Sequence, residues 1–118
     1  MEKIWNYIDN QWVESQALET IDVINPATGE ILAHTPLSTK AEVEMAARAA
    51  REAWWGWRKT PAQDRVQYLF KLKSLMEANI NDISRTITME CGKTFDESKA
   101  EMRRAIENVE VACGIPAL

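Results

Sequence analysis

Pro36-Leu37-Ser38-Thr39-Lys40-Ala41-Glu42-Val43 is the stretch at which the apolar periodicity of this chain changes. On its N-terminal side, apolar and polar residues alternate in short runs broken by turn residues, the pattern of strands and hairpins. On its C-terminal side the repeat lengthens to about 3.6 residues, the period of a helix with one buried face. The stretch also supplies a helix start. Thr39 as N-cap with Glu42 three residues on forms a capping box, in which each side chain accepts from the other residue's backbone N–H. The expected fold is therefore α+β, with N-terminal β-hairpins over residues 1–37 and four α-helices over residues 38–118. The leading strands are too few to fold alone, so Pro36 marks a connector between elements rather than a domain boundary.

Working back from this point, Tyr7-Ile8 and Trp12-Val13 flank Asp9-Asn10-Gln11, a short loop with two residues that tolerate left-handed geometry. A second pair is expected from Ile21-Asp22-Val23-Ile24 to Ile31-Leu32-Ala33. Between them, Asn25-Pro26-Ala27-Thr28-Gly29-Glu30 is a turn with a mechanism, since proline fixes φ and glycine allows it to become positive. Working forward, the first helix carries the stripe Val43, Ala46, Ala47, Ala50, Trp54 and Trp57. Thr60-Pro61 is expected to open the second, with Gln63 completing another box and Val66, Leu69, Phe70, Lys73 and Met76 on one face. Lys73 on that face must snorkel its ammonium to water or a partner. The third helix is expected from about Asn81 to Cys91, with Ile83, Ile87 and Cys91 inward and Gly92 as its stop. Thr94 and Glu97 box the fourth, whose stripe is Met102, Ile106, Val109 and Cys113 before Gly114 and Pro116 end it.

The chain has 118 residues, 46% hydrophobic and 27% charged, a balance that can build a core without disulfides or metal. Fourteen Lys and Arg against eighteen Asp and Glu leave a net charge of −4, and no basic cluster marks a nucleic-acid partner. No apolar run approaches the roughly 18 residues of a membrane span, and Met1-Glu2-Lys3-Ile4-Trp5 has neither the basic start nor the apolar stretch of a signal peptide. A cytoplasmic location with no membrane partner is expected. Cys91 and Cys113 form no Cys-x-x-Cys pair and are expected to be buried thiols in a reducing compartment.

Few residues offer self-contained chemistry. A catalytic Cys91 would need a base and an orienter, and the only histidine, His34, lies in the strand region. The four glycines are isolated, so no phosphate-cradling loop for a dinucleotide can be built from them. Trp54 and Trp57 belong to the apolar stripe as packing residues, while Trp55 points elsewhere and is expected to face a surface outside the chain. Arg103-Arg104 on the fourth helix has two readings: a bidentate carboxylate site, or a solvated face paired with Asp96, Glu101 or Glu107. Glu90 closes the third helix where the dipole favours a cation, which hints at a bound cation or a basic partner.

Tyr7-Ile8-Asp9-Asn10-Gln11-Trp12, Asn25-Pro26-Ala27-Thr28-Gly29-Glu30 and Glu90-Cys91-Gly92-Lys93-Thr94, in that order, resemble the opening of the aldehyde dehydrogenase superfamily. The run from Glu101 to Glu110, followed by Ala112-Cys113-Gly114-Ile115-Pro116, resembles its methylmalonate-semialdehyde dehydrogenase branch. The resemblance covers essentially the whole chain but only the N-terminal portion of that longer enzyme, so a fragment or truncated reading frame is expected. It implies a cysteine thiolate that attacks the aldehyde, hydride transfer to NAD, and coenzyme A as acyl acceptor, with loss of the substrate carboxylate as CO2. The nucleophile, the acid/base glutamate, the oxyanion asparagine and the nucleotide-binding units all lie beyond the matching region, so no catalytic or cofactor-binding residue is assigned here. Arg104 matches a substrate-facing arginine of the branch. Val23 and Ile24, through backbone carbonyls, and Glu90 match a monovalent-cation site. The implied partners are the remainder of the dehydrogenase chain and further copies in a homo-oligomer, and the segment alone is expected to be inactive. The competing reading is a stand-alone helical interaction module without catalysis.

Overall fold

A computed structural model describes residues 2–118. Five strands come first: β1 (Glu2–Lys3), β2 (Asn6–Ile8), β3 (Gln11–Val13), β4 (Thr20–Ile24) and β5 (Ile31–Pro36). Four helices follow, α1 (Lys40–Trp57), α2 (Ala62–Ala78), α3 (Ile80–Cys91) and α4 (Phe95–Gly114), with a closing 3-10 turn over Ile115–Ala117. Strands before the capping box and helices after it are what the change of period demands. The chain divides into two compact units, residues 1–59 and 60–118, so the first unit holds the strands and α1 together.

In the first unit β2 and β3 form an antiparallel hairpin with Tyr7 opposite Trp12. Asp9 and Asn10 both adopt positive φ, 50° and 59°, as a two-residue hairpin turn requires for its twist to match the strands. Tyr7 and Trp12 meet edge-on at 4.9 Å between ring centroids, a cross-strand pair that favours this register. β4 and β5 pair antiparallel around the Asn25–Glu30 turn. There the Asn25 carbonyl accepts from Gly29 N–H at 2.8 Å, its side-chain oxygen accepts from Ala27 N–H at 3.0 Å, and Gly29 has φ 76°. A register irregularity falls between Val23 and Ile24. β1 adds a parallel pairing to β5, Glu2 opposite Ala33, that no sequence pattern foretold, because a two-residue strand has no period to read.

The box at α1 forms as expected: Glu42 Oε2 accepts from Thr39 N–H at 2.7 Å and Thr39 Oγ1 accepts from Glu42 N–H at 3.3 Å. The same carboxylate also holds the loop before β4. Its Oε1 accepts from Gln16 N–H at 2.9 Å and its Oε2 from the Ser15 hydroxyl at 3.0 Å. Glu42 is buried, and these donors, Thr39 N–H foremost and Gln16 N–H next, pull its pKa down to about 2 against the opposing effect of burial. The stripe expected to bury α1 is corrected here. Ala46 is half-buried, but Val43, Ala47, Ala50, Trp54 and Trp57 are exposed. The helix instead turns its small residues Ala46, Ala49, Ala50 and Ala53 toward Tyr7 and Ile8 of the hairpin, across a groove.

In the second unit α4 packs against both α2 and α3. Val66 on α2 and Met102 and Ile106 on α4 are the buried apolar residues among those described. Where α3 approaches α4, the fully buried residues are Ser84 and Ser98, small enough to let the helices close. Their hydroxyls are satisfied, Ser84 donating to Ile80 carbonyl at 2.6 Å and Ser98 bonding Thr88 at 2.9 Å. Lys73 resolves its place on an apolar face by reaching Glu77 at 2.7 Å and Glu110 of α4 at 3.2 Å, which raises its pKa, the Glu77 hydrogen bond first and the Glu110 bond next.

Two local expectations are corrected in this unit. The Thr60–Gln63 box does not form; Pro61 is the N-cap of α2 and no side chain caps it. Starting the helix at Ala62 puts Gln63 at the second helical position, one short of the box geometry. Cys91, expected inward, is exposed: it lies seven residues after the buried Ser84 and so on the same face, but it is the last residue of α3, while Ile83 and Ile87 within the helix are half-buried. Gly92 ends α3 in the left-handed conformation at φ 69°, as its position predicts.

Candidate functional site

Arg104 lies two and a half turns into α4, a helix whose start is set by the Thr94 box: Thr94 Oγ1 accepts from Glu97 N–H at 3.3 Å and Glu97 accepts from Thr94 N–H at 3.0 Å. The Thr94 hydroxyl and N–H hold the Glu97 carboxyl below its ordinary pKa. The buried seam of Met102 and Ile106 fixes the rotation of α4 and so turns Arg104 outward. Asn108, one turn on, donates to the Arg104 carbonyl at 3.0 Å, and Val111 continues the same exposed line. The pairings of Arg103 and Arg104 with Asp96, Glu101 or Glu107 do not form among the described residues, and both arginines are exposed.

Glu101, three residues before Arg104 as Glu107 is three after it, is engaged elsewhere: its Oε2 takes the Lys93 ammonium from the turn between α3 and α4. The bond raises the Lys93 pKa, and the same ammonium, followed by the Arg104 charge, lowers that of Glu101. The sequence displayed both residues, but eight positions apart across Gly92 they carry no helical spacing to connect them. Only the left-handed turn at Gly92 brings the ammonium back over α4.

The other candidate residues are placed as follows. Val23 is half-buried and Ile24 exposed on β4 of the first unit, at the register irregularity; Glu90 is exposed near the end of α3 in the second unit. Neither cysteine is disulfide-bonded; Cys91 is exposed and Cys113 half-buried, which corrects the expected pair of buried thiols. His34 faces Asp22 across β4 and β5 at 2.7 Å between Nδ1 and Oδ1. Arg58 covers Trp54 at 4.6 Å and Trp55 at 5.4 Å from its guanidinium carbon, so the exposed indoles are screened by a cation of their own helix. Among the described residues no three His, Cys, Asp or Glu side chains cluster to hold a metal, and no helix is long and apolar enough to cross a membrane.

The chain belongs to the aldehyde dehydrogenase family, whose sequence pattern matches residues 12–117. It is 47% identical over 113 residues to malonate-semialdehyde dehydrogenase 2 of Geobacillus kaustophilus, an alignment spanning 96% of this chain and 23% of the relative. Its fold superposes on the crystal structure of methylmalonate-semialdehyde dehydrogenase from Oceanimonas doudoroffii with a TM-score of 0.93 at 39% identity, covering 99% of this chain and 24% of that one. Aldehyde dehydrogenase C of Pseudomonas syringae, solved as a mutant with NAD+ and octanal, gives a TM-score of 0.92 at 31% identity over 97% of this chain and 24% of that one. The chain thus spans about a quarter of the length of the relatives it matches.

Proposed function

We propose that this chain serves as the N-terminal part of an NAD-dependent, coenzyme A-acylating semialdehyde dehydrogenase that converts malonate or methylmalonate semialdehyde to an acyl-CoA with release of CO2. The observation that carries the reading is Arg104, exposed on α4 and unpaired among the described residues, in a chain whose relatives are named for a carboxylated aldehyde. Such a substrate has two ends, and a fixed guanidinium on its carboxylate presents the aldehyde to a nucleophile in one orientation. The unpartnered apolar residues support assignment to a larger body over a stand-alone module: Leu72 and Leu75 on α2, and Val111 on α4, would be left in water by a domain complete in itself.

In this reading the segment supplies one wall of the substrate path and no reacting group. No residue of this chain is assigned to NAD or coenzyme A, which act through the remainder of the polypeptide in a cytoplasmic homo-oligomer. The backbone carbonyls of Val23 and Ile24 and the carboxylate of Glu90 are each proposed as a donor to a monovalent cation, since each offers oxygen, the chemistry a hard cation takes. Arg104→Ala in a complete dehydrogenase subunit carrying this segment tests the assignment. The KM for malonate semialdehyde is expected to rise about tenfold or more, while propanal, which lacks the carboxylate, is turned over unchanged. An equal effect on both aldehydes would refute it.

A further inference from the structure

We infer that Lys93 is a positioning residue for the carboxylate contact at Arg104, acting by occupying Glu101 so that the guanidinium stays uncommitted. The inference rests on Arg104 being the substrate contact proposed above. Glu101 stands three residues before Arg104 on α4, a spacing at which a carboxylate and a guanidinium meet on a helix surface. An arginine forked to a neighbouring carboxylate has its donors used and its charge neutralised, which leaves little to offer a second carboxylate. Here the fork does not close. Glu101 bonds Lys93 instead, and Arg104 makes no ion pair among the described residues.

The geometry that permits this is local and specific. Gly92 turns the chain at φ 69°, Lys93 follows, and Thr94 starts α4, so the ammonium is delivered to the helix two turns in. Arg104 still acts electrostatically on both members of the pair, lowering Glu101 and opposing the rise at Lys93, which places all three charges in one interacting group with the direct bond on the lysine side. Lys93 and Glu101 side chains are 46% and 44% exposed, so water screens the pair and the effect of losing it is modest.

The test uses a complete dehydrogenase subunit carrying this segment, assayed with malonate semialdehyde and with propanal. Lys93→Met is expected to raise the KM for the semialdehyde about two- to fivefold, with kcat and the propanal KM unmoved. Glu101→Gln should not raise it, and the double variant should return it to the wild-type value. A simple structural tie between Lys93 and Glu101 predicts instead that both single variants do equal harm and the double does no better; that pattern, or a silent Lys93→Met, overturns the inference. Should Lys93→Met not fold, Lys93→Arg, which keeps the pair, and Glu101→Gln decide: a raised semialdehyde KM in Glu101→Gln alone is fatal to it. Arg104→Ala run in parallel separates the two levels. If it leaves the semialdehyde KM unchanged, the contact itself is wrong; if it raises KM while Lys93→Met does not, only the positioning role falls.

Discussion

The buried residues of the first unit are Ser15, Pro36 and Glu42, whereas those of the second are Val66, Met102 and Ile106 with two serines, Ser84 and Ser98. One interior is organised by a carboxylate that collects N–H and O–H donors from a loop and a helix start; the other is an apolar seam between helices. Hydrogen bonds are directional and fix geometry, but their net contribution is small because water competes for the same groups. Apolar burial has little direction and supplies most of the stabilisation. The first unit is therefore precisely tied yet leaves Ile21, Ile24, Val43 and Trp54 exposed, while the second carries the larger share of apolar burial in few positions.

Truncating the seam should have the largest effect. Met102→Ala removes a buried side chain where α4 meets its neighbours, and a loss of about 2–5 kcal/mol is expected in urea unfolding. Hydrogen exchange should show that loss across residues 60–118; unchanged protection there would mean the seam does not hold the unit.

Acid separates the two interiors next. The folded-state pKa of Glu42 lies below its ordinary value of 4.5, at about 2, so its contribution is fully present above the ordinary value and disappears as pH falls toward 2. Glu42→Gln should accordingly be less stable than wild type at pH 7, and the two should converge between about pH 4.5 and 2. A constant gap across that window would show that the carboxylate charge is not what ties Ser15 and Gln16 to α1.

Smallest is the difference between two threonines that look alike in sequence. Thr94→Ala should cost about 1 kcal/mol because it removes a formed cap, whereas Thr60→Ala should fall within about 0.5 kcal/mol of wild type because Thr60 caps nothing. Equal costs would place a cap at α2 after all.

Legibility follows the same division. The hairpin turn at Asp9-Asn10, the turn at Asn25–Glu30, the boxes at Thr39 and Thr94 and the stop at Gly92 were readable because each is set by residues within a few positions of one another. The seam of Met102 and Ile106 was readable from its spacing alone. Burial of α1 was overestimated, since periodicity shows that a helix has an apolar face but not whether anything in the same unit covers it. Thr60 misled because the box depends on where the helix begins, and Pro61 moved that start by one residue.

Of the candidate site, Arg104 could be singled out in the sequence, on its residue type and its resemblance to a carboxylate contact, but its freedom could not. Whether it pairs with Glu101 depends on where Lys93 lands, and that is set by the left-handed turn at Gly92 together with the packing of α3 on α4. The second role of Glu42 was hidden for the same reason: its partners Ser15 and Gln16 lie more than 25 positions away. The sequence by itself determined the two hairpins and four helices in their order, the turns, the caps at Thr39 and Thr94, and the family, because these depend on local chemistry and on patterns that survive in one dimension. Only the tertiary structure decided that Lys93 takes Glu101 and that Lys73 reaches Glu110 on another helix, since long side chains also find partners by distance in space.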